Sequence, residues 1–341
     1  MDLFELTRRL IDIESITGNE GRLGEFLCER LEPLAERYGG RVERMPVEEG
    51  RFNVLAHWGE RIDVTLSTHQ DTVPPFFPSR EDEEWIWGRG ACDVKGLMAA
   101  MIQAAGNLLA GGVRNFALLF VVGEERNSAG AFAAARQPRG SRYLINGEPT
   151  ENKLAVGSKG ALRYELVARG KMAHSAYPEL GESAIDKLLD VLHELRAMPL
   201  PHDDLLGDST LNIGVIGGGR APNVIPDEAR AEIMFRLVDD AASIRRRVAE
   251  ITAGRVEANE IICIPALRLG TLDGFETCVV GFATDIPAFG GSWGEPFLIG
   301  PGSIHLAHTS EERVPKRELE EAVGLYERLV RRLQSQAGER Q

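Results

Sequence analysis

Three polar clusters, each placed where an apolar run ends, constrain this chain more than any other feature. Ser67-Thr68-His69-Gln70-Asp71 follows Val64-Thr65-Leu66, Gly123-Glu124-Glu125 follows the run from Phe116 to Val122, and Asn146-Gly147-Glu148-Pro149 follows Tyr143-Leu144-Ile145. A near-continuous apolar run bounded by turn residues suits a strand covered on both faces, as in a parallel sheet flanked by helices. Ligands of such sheets gather at the carboxyl ends of the strands. Carboxylates placed there are costly to desolvate unless a cation or hydrogen bonds compensate them. The pattern therefore reads as a metal site.

The rest of the chain divides in two. Helical spacing predicts helices over 2–14, 20–38 (stopped by Gly39-Gly40), 94–110 and Lys316–Gln334, and strand character over Arg41–His57 and Ile62–Thr68. Strands alternate with helices up to Pro149, the signature of an α/β sheet. Beyond residue 157 the order changes to strand Gly160–Ala168, helix Glu182–Arg196, strands Ser209–Gly218 and Ala229–Val238, helix Ala241–Thr252 and strand Val256–Ile264. That is the β-α-β-β-α-β order of a ferredoxin-like sandwich. The expected fold is a mostly parallel-sheet α/β domain, residues 1–157 and 269–341, interrupted by this small domain at 158–268. A length of 341 residues suits two domains.

Composition narrows the partners. The net charge of −13 argues against nucleic acid, because phosphate binding needs a cationic surface. No apolar stretch approaches the ~20 residues of a membrane span. Met1 to Leu6 starts an amphipathic helix rather than a secretory signal, and Cys28, Cys92, Cys263 and Cys278 form no paired motif. A cytoplasmic enzyme with reduced thiols and no membrane partner is expected.

The chemistry-bearing residues leave some roles open at this level. His69 and Asp71 are two apart and would share a face of a regular strand; where that regularity relaxes at a strand end, Asp71 could instead hydrogen-bond the far nitrogen of a metal-bound His69 imidazole. Asp93, in Gly88-Arg89-Gly90-Ala91-Cys92-Asp93-Val94-Lys95-Gly96, precedes a long helix and could cap it, bind metal, or do both. Glu124 and Glu125 cannot point the same way from a regular strand, so one can hold a metal while the other shuttles a proton. His305 and His308 lie in the segment Gly300–Glu312; one of the two is expected to bind metal and the other to pack or touch substrate.

Taken together, His69-Gln70-Asp71-Thr72-Val73-Pro74, Gly88-Arg89-Gly90 with Asp93 and Lys95-Gly96, Glu124-Glu125, Gly147-Glu148-Pro149-Thr150 and Ala307-His308 resemble the M20 metallopeptidase family. That family includes acetylornithine deacetylase, succinyl-diaminopimelate desuccinylase, aminoacylases and carboxypeptidases. The resemblance implies two divalent ions, zinc or cobalt, bridged by Asp93, with His69 and Glu148 completing one site and Glu125 and His308 the other. It implies Glu124 as general base and acid, Asp71 behind His69, and His174 of the small domain acting in the site of a partner subunit. Asn223, Arg236 and Thr284 match substrate contacts, and an arginine fork suits an α-carboxylate. It further implies a homodimer joined through the small lid domain.

For substrate, Glu148 and the segment Gly281–Phe289 resemble the deacylase branch, so the expectation is removal of an acyl group from an N-acyl amino acid such as N-acetylornithine, in arginine or lysine biosynthesis. A carboxypeptidase or dipeptidase, or a succinyl-type or carrier-linked deacylase, is the alternative.

Overall fold

The computed structural model describes residues 1–339, so the last two residues of the expected span 269–341 lie outside the described residues. The described chain forms two compact units, one of residues 1–156, 269–278 and 284–339, the other of residues 157–268 and 279–283.

The first unit is built on a six-stranded sheet in the order Gly40–Glu48, Arg51–Trp58, Phe116–Val121, Val64–His69, Tyr143–Asn146, Glu295–Leu298. The last four strands run parallel, and the first two join antiparallel as an edge hairpin. The stretch read from sequence as one extended run is thus two strands, reversed over Glu49-Gly50, with Gly50 at φ 71°. Every residue of Val64–His69, Phe116–Val121 and Tyr143–Asn146 is buried, as the apolar runs require of strands covered on both faces.

Helices Leu3–Asp12, Gly21–Tyr38, Gly96–Ala110 and Lys316–Glu339 cover one face, where Leu27, Leu31, Met98, Leu108, Tyr326 and Leu329 pack on Val54, Leu66 and Leu118. The opposite face is closed by the helix Ala129–Ala135 and by Phe289 and Trp293, against Leu55, Leu119 and Leu144. Local signals set the helix ends. The Asp2 carboxylate accepts the Glu5 N–H at 2.8 Å, and Gly39 stops the second helix in the left-handed region at φ 69°. Several boundaries differ from expectation, two of them at long helices. The helix expected from Val94 begins at Gly96, because Asp93 and Val94 are non-helical (φ −126° and −140°), and the terminal helix runs five residues past Gln334, to Glu339.

The second unit is the expected split sandwich. Its antiparallel sheet is ordered Thr210–Gly218, Glu228–Leu237, Gly160–Arg169, Glu257–Ile264. Helices Ala184–Ala197 and Ala242–Thr252 lay Leu188, Val191, Ile244 and Val248 on Leu162, Leu166, Ile233 and Phe235. The alternating burial of Glu228–Leu237 reflects a sheet covered on one face only.

Buried polar side chains tie loops to the larger sheet. Asn53, fully buried, donates to Gly130 O at 2.8 Å and accepts the Val122 N–H at 3.1 Å, just ahead of Gly123-Glu124-Glu125. Asn53→Leu should lower unfolding free energy by about 1–3 kcal/mol, the cost of leaving a buried amide unpaired. Urea unfolding would measure it, and an unchanged midpoint would refute the assignment.

Candidate metal centre

Parallel strands end on one edge of a sheet, so the polar clusters that follow them converge. His69 is the last residue of its strand, and Glu148 stands two past the end of the neighbouring strand, with Ser67 opposite Asn146 in the ladder. Asp93 joins them from the turn before Gly96. Its Oδ1 lies 3.1 Å from His69 Nε2, and its Oδ2 lies 3.1 Å from His308 Nε2. His308 Nε2 is also 3.0 Å from Glu125 Oε1. Two groups result, His69/Asp93/Glu148 and Asp93/Glu125/His308, each with one ligand atom per residue within 4.8 Å of the others. Imidazole nitrogen and carboxylate oxygen are the donor set that suits divalent zinc, cobalt or manganese. The residues present therefore fit a pair of ions sharing Asp93.

The orienting bonds differ in one respect from expectation. His69 Nδ1 pairs with the backbone carbonyl of Asp71 at 2.9 Å, while the Asp71 carboxylate lies 3.7 Å away. That carboxylate is instead taken up by the amides of Gly123, Glu124 and Glu125, at 2.9, 3.1 and 3.2 Å, and by the Thr17 hydroxyl at 2.8 Å. The carbonyl still fixes the tautomer, leaving Nε2 to face the centre. Asp71 thus acts on the glutamate turn, an amide-rich nest that its charge satisfies. The turn sends the neighbouring side chains to different tasks. Glu125 meets His308, while Glu124 makes no ion pair among the described residues.

Asp93 does not cap the following helix, which starts at Gly96 without a side-chain cap. Its turn closes through Lys95 N–H to Gly90 O at 2.7 Å. Gly90 sits at φ 88°, where a Cβ would lie 2.9 Å from both Lys95 Cδ and Thr72 Cγ2, so only glycine fits without displacement.

Crowding of like charges dominates the electrostatics. Burial pushes the carboxyls of Glu124 and Glu148 well above their usual range, reinforced by the charge of Glu148 at the first and of Asp93 at the second, and burial raises that of Glu125. Hydrogen bonds to Asp93 and then Glu125 raise His308 to about 10. For His69, burial works against the charged form, but the Asp93 bond and the surrounding carboxylates outweigh it and the pKa is raised. Asp93 itself is lowered, its two imidazole partners overcoming burial.

Other expected site residues lie elsewhere or are differently employed. His174 is exposed in the second unit, on a two-residue strand opposite Val224, with Nδ1 accepting the Ala176 N–H at 3.1 Å. Exposed Asn223 is held beside it, its carbonyl accepting the Ser175 N–H. Arg236 is partly buried and makes no ion pair among the described residues. Thr284 is 4% exposed, and its hydroxyl accepts the Ile286 N–H at 3.2 Å in its own turn. His305 is exposed and belongs to neither ligand group.

Three residues escaped sequence reading. Asp285 is buried beside the centre, its carboxyl raised to about 7 by burial, with the Ser128 side chain the largest influence opposing that rise. Arg89 and Glu312 form a buried pair at 2.6 Å. Only the separation of Arg89 and Glu312 by more than two hundred residues hid them, since each lies inside a motif already singled out.

A two-unit α/β architecture with a shared-carboxylate ligand set defines a class, the dinuclear metallohydrolases, and comparison with known proteins gives the family. The model of the M20 peptidase dimerisation domain matches residues 156–258. A peptidase M20 domain-containing protein of Schizosaccharomyces pombe is 39% identical over 96% of this chain and 84% of its own length. A probable carboxypeptidase of Aspergillus clavatus is 39% identical over 96% and 82%. Among solved structures, aminopeptidase PepT from Bacillus cereus superposes with a TM-score of 0.77 at 20% identity, covering 95% of this chain and 96% of that one. A dinuclear metal-binding M20 peptidase from Bacillus subtilis gives 0.68 at 18% identity, with 95% of each chain covered. The chain belongs to the M20 peptidase family.

The raised pKa values carry a sign. Without ions, His308 stays protonated up to about pH 10. An ion needs neutral imidazole, so binding at pH 7 must expel protons, and affinity should rise with pH between about 6 and 8. Calorimetric titration of zinc in buffers of different ionisation heat should show at least one proton released per chain. Heats independent of buffer would contradict this electrostatic account.

Proposed function

We propose that this protein is a dinuclear metal-dependent exopeptidase of carboxypeptidase or dipeptidase type, hydrolysing the amide bond that precedes a free α-carboxylate. The observation that carries the reading is Asp93, one oxygen toward each of two ligand groups, with Glu124 beside them and outside both. His69, Asp93 and Glu148 would hold one ion and Asp93, Glu125 and His308 the other. When bound, such a pair lowers the pKa of water and carries the negative charge that builds on the carbonyl oxygen. Glu124 takes the proton of the attacking water and returns it to the leaving amine. Its carboxyl, raised well above the usual range by burial, suits a group that must both accept and donate.

Arg236 is desolvated and makes no ion pair among the described residues, and a bidentate guanidinium fork of this kind suits a carboxylate. The relatives named probable carboxypeptidases support this branch. Removal of a simple acyl group, as from N-acetylornithine, breaks the equivalent bond and is retained as a second reading on Glu148, the residue that resembles the deacylase branch. A homodimer through residues 156–258 is supported by the description of the domain matched there. Within it, His174 would serve the partner's reaction, its Nε2 left available by the Nδ1 bond.

Metal-loaded protein should cleave dipeptides in a chelator-sensitive way, and C-terminal amidation should lower kcat/KM at least ~100-fold, the cost of leaving a built-in charge partner unmatched. Amidated substrates cleaved equally well would refute a carboxylate requirement, and preference for N-acetyl amino acids would move the protein to the second reading. Glu124→Gln should lower kcat by ~10²–10⁴ while both ions stay bound. Retained turnover in that variant would dismiss Glu124 as the proton shuttle.

Mixing inactive Glu124→Gln with inactive His174→Ala chains should restore partial activity once subunits exchange. Exchange without recovery would remove His174 from the shared chemistry.

A further inference from the structure

The two ligand groups are not equally supported. His69 and Glu148 hang from neighbouring strands of one ladder, so their separation is set by sheet hydrogen bonds. Glu125 and His308 come from loops joined by no ladder, and His308 stands at φ 62° with its side chain 49% exposed. What ties the His308 segment to Asp93 is a residue four positions further on. Glu312 Oε1 accepts the Asp93 backbone N–H at 3.2 Å, and its Oε2 accepts from Arg89 Nη1 at 2.6 Å. The Glu312 backbone carbonyl accepts the Gly88 N–H at 3.1 Å, continuing the antiparallel pairing of Arg313–Pro315 with Trp85–Trp87. Arg89 is fixed in turn, Nε to Pro75 O at 3.1 Å and its guanidinium 4.9 Å from the Phe77 ring centroid. Both side chains of the pair are no more than 2% exposed.

The geometry points to Glu312 as a positioning residue that sets the distance between Asp93 and His308, and so selectively governs binding of the ion held by Asp93, Glu125 and His308. Arg89 holds the Glu312 carboxylate in place, while the strand pairing lays the two segments side by side. A buried ion pair is seldom a net source of stability, whereas removing one partner strands the other. The informative variants therefore neutralise both residues at once. This inference rests on the reading that the two groups bind two ions.

Zinc binding is followed by calorimetry, with metal content measured after dialysis, on wild type, Arg89→Met/Glu312→Met and Arg89→Met/Glu312→Gln. The first double variant lacks both charge and acceptor; the second lacks charge but keeps an oxygen for the Asp93 N–H. The Met/Met protein should weaken the second ion at least about tenfold and leave the first near its wild-type affinity, as loss of an orienting partner does. The Met/Gln protein should recover most of that loss. Equal affinities in all three proteins, or equal losses in both variants, would overturn the proposal. If Met/Met fails to give native circular dichroism, Glu312→Asp, which keeps the charge on a shorter arm, takes its place with the same expectation. A wild type that binds fewer than two ions refutes the two-ion reading itself, separately from the role of Glu312.

Discussion

Four carboxylates, Asp93, Glu124, Glu125 and Glu148, crowd one edge of a buried sheet, and their repulsion is the constraint around which the site is arranged. Such a cluster is unfavourable in a low-dielectric surrounding unless positive charge balances it. His69 and His308 supply part of the balance by meeting Asp93 from either side. Divalent ions would supply the remainder by displacing the imidazole protons, which is why a ligand set with this much surplus negative charge reads as a place for cations.

Holding that arrangement falls to backbone more than to side chains. Parallel strands bring His69 and Glu148 together without any dedicated contact between them. The three amides on Asp71 shape the turn that separates Glu125, facing His308, from Glu124, left outside both ligand groups. Neighbouring glutamates of identical chemistry thereby acquire different tasks from a local change of direction after Gly123, itself at φ 81°.

Much of this was readable in the chain. Runs such as Phe116–Val122 announce strands buried on both faces, and polar residues after them had to gather at one edge. The order of elements in the second unit was legible because each has its own periodicity, to within a residue or two at most boundaries. Misreadings came where long-range geometry competes with local preference. Asp93 has the position of a cap but is drawn toward two imidazoles, and the helix begins three residues later. Asp71 has the spacing of an imidazole partner, yet a turn more than fifty residues away claims its carboxylate.

By itself the sequence determined the two-part architecture and a metal-binding character at one sheet edge, because burial periodicity and the donor types of His, Asp and Glu are local properties, while the resemblance to a family singled out the ligands among them. Tertiary structure alone decided which oxygen faces which imidazole, that Asp71 serves amides, and that Arg89 and Glu312 share a buried pair. Those outcomes depend on distances between segments remote in the chain. Such distances are set by how strands and turns stack in space, and no local pattern encodes them.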